Sequence, residues 1–181
     1  DFVINTLGPN QKLMPSENKN YFCLGAICAI YELKMNPNIP YWTNYCMDDN
    51  PALAIINHRE LDNGKRFGDL FPVYVAAYLN NKKEFFKLSD KEIEFKFSEA
   101  LCKVMNIDKN KLKNITNFVH INKSGYAQPL INPFINLDPI EIYDRNYISV
   151  SMHSIYPNDR GQNYAFKYGR KAANYILKIT K

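Results

Sequence analysis

The sequence predicts an α+β fold, a mostly antiparallel sheet with helices packed on it, followed by a C-terminal strand–turn–helix. Three observations carry this. Residues 21–79 hold several apolar runs joined by short turns, and short connections between successive strands imply antiparallel pairing. At residue 89 the period changes: Ser89-Asp90-Lys91-Glu92 reads as a capping box. Behind it Ile93, Phe97, Ala100, Leu101 and Val104 recur at helical spacing, so that face is core. From residue 148 onward, a short strand (148–152), a turn (156–161) and a helix from 162 to about 179 follow one another.

In chain order, residues 1–6 read as a strand leading into a Gly8-Pro9 turn. A chain that opens inside an apolar run reads as a piece of a longer protein, or one lobe of it. Residues 9–20 are polar and read as a loop or short helix. Residues 21–33 form a continuous apolar run that fits a buried strand or a buried helix, and length does not decide between them. Residues 36–40 are a turn, 41–47 a strand and 52–58 another short apolar run. Asp62-Asn63-Gly64 marks a turn, and residues 72–79 a strong strand. Asp108 caps a second short helix ending near Lys113, and 115–121 alternates as a strand. A polar turn at 122–125 precedes Tyr126-Ala127-Gln128-Pro129-Leu130, and Pro-containing loops fill 129–146. No internal repeat or low-complexity tract is present.

A chain of 181 residues is one domain, or one domain and part of another, and can bury a real core. Its 13 Tyr and 11 Phe against one Trp stand out. Tyrosine adds a hydroxyl to ring area, which suits a core and also a deep, partly polar wall. The net charge of +5 forms no stripe; Lys109, Lys111 and Lys113, like Lys82 and Lys83, read as solvated positions. No basic run interleaves with aromatics, so a nucleic-acid partner is not expected. Cys23, Cys28, Cys46 and Cys102 lack CxxC spacing and sit in apolar stretches, as buried reduced thiols in a cytoplasmic protein would. His58 and His120 read as core histidines and His153 as a structural residue beside a turn; their scatter offers no metal site. No run is long enough to span a membrane, so no integral membrane segment is expected, and no signal-peptide pattern is present.

The terminal turn carries the most chemistry. First-turn N–H groups of a helix have no partner inside it, so this helix start is a candidate anion or cofactor site. Arg160 offers a planar donor fork and Gly161 close backbone approach. Asp159 caps the helix or holds the turn. Small residues at 165, 169 and 172 permit close approach to a sheet or ligand. The plainer reading is a structural turn with tight helix packing.

This segment resembles the C-terminal FAD-contacting motif of the flavin-containing amine oxidase superfamily, notably its protoporphyrinogen-oxidase-like members. Their pattern is an apolar strand, YP-x-DRG-x-N-x-A, then a helix carrying G-R-x-x-A. Here stand Tyr156-Pro157, Asp159-Arg160-Gly161, Asn163, Ala165, Gly169-Arg170 and Ala173. Residues 1–8 resemble the strand leaving the FAD lobe, and Tyr126-Ala127-Gln128-Pro129 the strand returning beside the flavin. The resemblance implies that 1–8 end an FAD-lobe strand, 9–146 form a substrate-binding domain, and 147–181 return to the FAD lobe.

It also implies that Tyr156, Pro157, Asp159, Arg160, Gly161, Gln162 and Asn163 bind FAD, with the helix end favouring negative charge on reduced flavin. Tyr126, Gln128 and Met152 would line the flavin or substrate side. No catalytic side chain is assigned, because flavin itself carries the hydride chemistry. The resemblance departs at two points. The seven glycines cannot form GxGxxG, so FAD belongs to the full-length protein with its missing N-terminal FAD-binding lobe. Ser151 stands where the family often has Gly.

The expected function is therefore the C-terminal portion of an FAD-dependent oxidoreductase that takes a hydride from a small-molecule substrate. A flavin-dependent mutase or isomerase, a carotenoid-type desaturase, or a non-catalytic binding module derived from a flavoprotein lobe are the alternatives.

Overall fold

A computed structural model describes residues 1–7, 22–61, 64, 66–80, 84–131, 134, 138–144 and 146–180. The Gly8-Pro9 turn, the 9–20 segment, Asp62, Asn63, Lys82 and Lys83 lie outside them. The chain divides into two units: Leu24–Ala127, and Asp1–Cys23 together with Gln128–Lys181. The boundaries drawn from sequence lie at 8/9 and 146/147; the units meet at 23/24 and 127/128. The predicted α+β class holds, with eight strands and four α-helices among the described residues. Among the described residues no helix is long and apolar enough to cross a membrane.

The continuous unit is built on a five-stranded sheet. Its strands are β2 (Phe22–Leu33), β3 (Trp42–Asn44), β4 (Ala54–Asn57), β5 (Phe71–Leu79) and β6 (Thr116–Leu130), in the order β3-β4-β5-β2-β6. β3, β4 and β5 form an antiparallel meander and β2 pairs antiparallel with β5. The ambiguous run is thus a strand over Phe22–Leu33. Its two-residue period settles the matter: Ile27, Ala29, Tyr31 and Leu33 are buried while their even-numbered neighbours are half-buried. Val73, Val75 and Ala77 of β5 face the same way.

Onto that side packs α2 (Asp90–Met105) through Ile93, Phe97, Ala100 and Leu101, all fully buried. The Tyr31 hydroxyl fixes the helix by donating to the Glu94 carbonyl at 3.1 Å, and lies 3.2 Å from Ser98 Oγ. Burial pushes that hydroxyl above the ordinary tyrosine range. The predicted capping box is present: Ser89 N–H donates to Glu92 at 2.8 Å and Glu92 N–H to Ser89 Oγ at 3.4 Å. The short α1 (Glu84–Lys87) precedes this helix. α3 (Lys109–Ile115) follows it, with the Asp108 carboxylate accepting from Lys111 N–H at 2.8 Å.

The sequence reading breaks down at 122–125, where a turn is expected. β6 runs through these residues because β2 lies alongside: a Cβ on Gly25 would stand 3.0 Å from the Ser124 carbonyl oxygen and 2.6 Å from Phe86 Cε2. Pro129 sits on this edge strand, the kind of strand to which proline is largely confined within sheets. His120, expected in the core, is exposed and stacks on Phe118 at 6.2 Å; His58 is half-buried between the rings of Phe67 and Tyr74. Of the cysteines expected to be buried, Cys102 is buried, Cys23 and Cys28 are half-buried and Cys46 is exposed; all four are free thiols.

The second unit holds a three-stranded sheet in the order β1-β8-β7: β1 (Val3–Asn5), β7 (Ile140–Ile142) and β8 (Tyr147–Val150). β7 corrects the reading of 129–146 as loops alone. β1 and β8 are parallel, with Val3 opposite Tyr147 and Asn5 opposite Ser149. β8 ends at Val150, before the predicted limit, because Ser151 opens a 3-10 turn at Met152–Ser154. α4 (Gln162–Ile179) packs against β8 and buries Tyr168 and Ala172. Of the predicted small-residue face only Ala172 is packed. Ala165 is exposed, and a Cβ on Gly169, about 100° round the helix from Tyr168, would meet open space.

Truncating Phe97 to Ala removes the centre of the larger core and is expected to cost about 3–5 kcal/mol, against about 1 kcal/mol for Ser89→Ala; urea denaturation of the full chain measures both. The Ser89 hydroxyl and backbone N–H hold the Glu92 carboxyl below its ordinary value. Its contribution is therefore complete above about pH 4.3, the unfolded value, and is lost as pH falls through the lower folded value. Glu92→Gln is expected to flatten this acid limb of the urea midpoint relative to the native chain.

Candidate functional site

The segment between β8 and α4 is held by its own short-range bonds. Ser151 is buried with its Oγ turned inward, accepting from His153 N–H at 3.1 Å, so its side chain organises the 3-10 turn. Ser154 and Ile155 are buried beneath it. After the cis Tyr156-Pro157 bond, Asn158 donates from its backbone N–H and its side chain to the Ile155 carbonyl, at 2.9 and 3.1 Å. The Asp159 carboxylate accepts from Arg160 N–H at 2.7 Å, so Asp159 holds the turn and does not cap the helix.

Gly161 is the N-cap of α4, in extended conformation and with no side-chain cap. Its carbonyl receives Tyr164 N–H and Ala165 N–H at 3.0 and 3.1 Å. The N–H groups of Gln162 and Asn163 remain outside the hydrogen bonds of the described residues, as expected for an uncapped helix start. A Cβ on Gly161 would stand 2.6 Å from Asn163 Oδ1, so the Asn163 side chain folds back over the glycine.

Of the residues predicted from sequence, the structure joins Arg160 and Gln128: the guanidinium Nη2 donates to Gln128 Oε1. Cys23 lies close enough for the Arg160 charge to act on it. Burial raises its thiol pKa, and Arg160 offsets part of that rise. Met152 is half-buried in the 3-10 turn, while Tyr156, Pro157, Asp159, Gln162 and Asn163 are exposed. Tyr126 lies on β6 within the other unit and is 42% exposed.

Sequence reasoning missed Asn5 and Ser149. They are partners across the parallel pair, both buried, and Asn5 Nδ2 and Ser149 Oγ have no hydrogen-bond partner among the described residues. Asn5 Oδ1 accepts from Leu7 N–H at 3.0 Å. Both residues stand toward the carboxyl ends of parallel strands, where open α/β sheets bind ligands. The available clue was a polar side chain at an inward position of an otherwise apolar strand.

No protein-family model matches the chain, and no curated protein matches it in sequence. Among solved structures, a protein of Exiguobacterium sp. 255-15, provisionally described as a protoporphyrinogen oxidase, matches with a TM-score of 0.57 and 12% identity. The match covers 72% of this chain and 30% of that one. The likeness is one of fold alone, and the chain spans less than a third of that protein.

The residues present fit part of an FAD. An uncapped helix start, and two buried polar atoms without partners among the described residues, suit polar, partly anionic segments of such a cofactor. The glycines of the chain form no GxGxxG cradle for the pyrophosphate.

Replacing Arg160 with Gln is expected to raise the Cys23 thiol pKa further and to slow its alkylation by iodoacetamide severalfold. The exposed Cys46 reacts first in both proteins; peptide mass spectrometry resolves each thiol.

Proposed function

We propose that this chain is the C-terminal portion of an FAD-dependent oxidoreductase of the flavin amine oxidase kind. The discontinuous unit completes an FAD-binding lobe, and the continuous unit is the substrate lobe. The observation that carries this reading is the parallel β1–β8 pair delivering an uncapped α4 at its carboxyl end.

Parallel strands normally lie in sheets covered on both faces. Here β1 is the edge strand, and Val3 and Ile4 on it are 54% and 45% exposed. On α4, Phe166 and Leu177 are 80% and 59% exposed, on the side opposite Tyr168 and Ala172. These surfaces suit a larger lobe that extends the sheet beyond β1 and covers the helix.

FAD bound there would supply the acceptor for a hydride from a substrate C–H next to nitrogen or carbon. The chain's own residues bind and orient it. Gln162 and Asn163 N–H groups present a positive helix end to negative charge. Asp159 keeps the turn closed, and Gln128 holds the Arg160 fork in place. Asn5 Nδ2 and Ser149 Oγ gain the partners they lack.

The substrate lobe offers a wall of matching character. The strand register lines up Trp42, Ile56, Tyr74 and Ile30 across the sheet face away from α2. The next row is Asn44, Ala54, Ala76 and Cys28. Neither row contains Lys or Arg, and the small second row makes a trough beside the bulky first. That favours an apolar substrate body, as for a desaturase or amine oxidase, over a sugar nucleotide.

The full-length gene product is expected to purify with the visible absorbance of bound flavin, and Gly161→Trp to abolish it. A colourless protein that also fails to take up added FAD would sink this reading.

A further inference from the structure

β6 is the last strand of its sheet, so among the described residues its outer edge has no strand partner. A groove of about 640 Å³ follows that edge, bordered by four successive β6 residues, 116–119. Side chains alternate between faces along a strand, so four in succession bring the groove to the edge, from which it reaches inward to Tyr31 of β2 beneath α2. Unpaired N–H and C=O groups point outward there.

The opposite wall is α2, through Lys91, Glu94, Phe95 and Ser98. Their spacing of three, four and seven residues makes one helical stripe beside the buried one. Lys123 of β6 closes one end of this frame: its Nζ donates to the Leu88 carbonyl at 2.6 Å and pairs with Asp90 at 3.3 Å. These bonds tie the strand to the start of the helix.

The charge of the groove is one-sided. Lys91, Lys109 and Lys113 line it against a single carboxylate, Glu94. Lys109 is paired with Glu99 at 2.9 Å and sits 3.7 Å from the Phe95 ring centroid. Lys91 and Lys113 form no ion pair among the described residues. Lysines alone are a common guard for a sheet edge, because they discourage pairing with other chains. A guard does not require exposed rings, yet Phe95 and Phe118 in the same groove are 54% and 55% exposed.

We infer that this groove docks an extended acidic peptide segment of a partner protein, which adds to β6 as a further strand. Backbone pairing with residues 116–119 supplies register. The two phenylalanines take apolar side chains at alternate positions, and Lys91 and Lys113 select for carboxylates between them. The inference is independent of the flavin reading, since every residue in it lies within Leu24–Ala127.

The test uses the full chain and a fluorescein-labelled peptide of alternating Glu and Val, followed by anisotropy. Saturable binding is expected, weakened about tenfold or more in the Lys91→Glu/Lys113→Glu double variant. Both lysines are exposed, so circular dichroism of that variant is expected to be unchanged. An alternating Lys–Val peptide is expected not to bind. In the unmodified chain, bound peptide is expected to slow hydrogen exchange at the outward-pointing amides of β6 near residue 118, the alternate ones that do not face β2. Absence of saturable binding overturns the inference, as does equal binding by the double variant or by the Lys–Val peptide. Binding that leaves those amides unprotected also overturns it, because it marks an anion-attracting patch and no added strand.

Discussion

Burial of one helical stripe, Ile93, Phe97, Ala100 and Leu101, against the odd-numbered residues of β2 and β5 decides most of what the larger unit can present. A strand has two faces and this contact consumes one of them. The even-numbered residues are then committed to the other side, where Ile30, Tyr74 and Ile56 fall into one row and Cys28, Ala76 and Ala54 into the next. The same contact rotates α2 so that its neighbouring stripe looks along β6. Both candidate recognition surfaces of this unit follow from a single buried seam. The Tyr31 hydroxyl and the Ser89 cap fix where along its axis the helix sits.

The smaller unit follows a different logic. It keeps polar side chains inside. A buried polar atom without a partner costs about 1–3 kcal/mol, so Asn5 Nδ2 and Ser149 Oγ are a local expense that folding does not recover. They stand as partners toward the end of the parallel β1–β8 pair, and β8 leads through a 3-10 turn to a helix start with spare donors. Cost and location together mark this end of the unit as the one shaped for something other than its own packing. Thr43 Oγ1 and Asn57 Oδ1 also lack partners among the described residues, but they lie in the β3–β4 meander.

Local rules were legible wherever the sequence satisfied them within a few residues. The capping box at Ser89, the Asp108 cap and the start of α4 at Gln162 are each set by neighbours in the chain. What could not be read depends on distant partners. Residues 22–33 become a strand because β5 supplies a matching ladder, and 122–125 stay extended because β2 lies beside them. The same limit applies at the candidate site. Asp159, Arg160 and Gly161 stood out as a motif, whereas Asn5 matters only through its pairing with Ser149, and Gln128 only through Arg160. The small-residue stripe on α4 failed for a related reason: size permits close approach but does not say which residues receive it.

The parallel pairing of β1 with β8 has a consequence for how the chain assembles. It joins residues 3–5 to residues 147–149, so the smaller unit cannot close until nearly all of the chain has been made. The larger unit is continuous and can form first. Gly25 and Ser124, near its two ends, lie against each other in adjacent strands. Once that unit is folded, the chain still to be closed between β1 and β8 is reduced to residues 6–24 and 125–146. Much of the loop-closure entropy of this non-local contact has by then been met inside the inserted unit. The insertion acts as a clip whose closing brings the last pieces of the other sheet within reach.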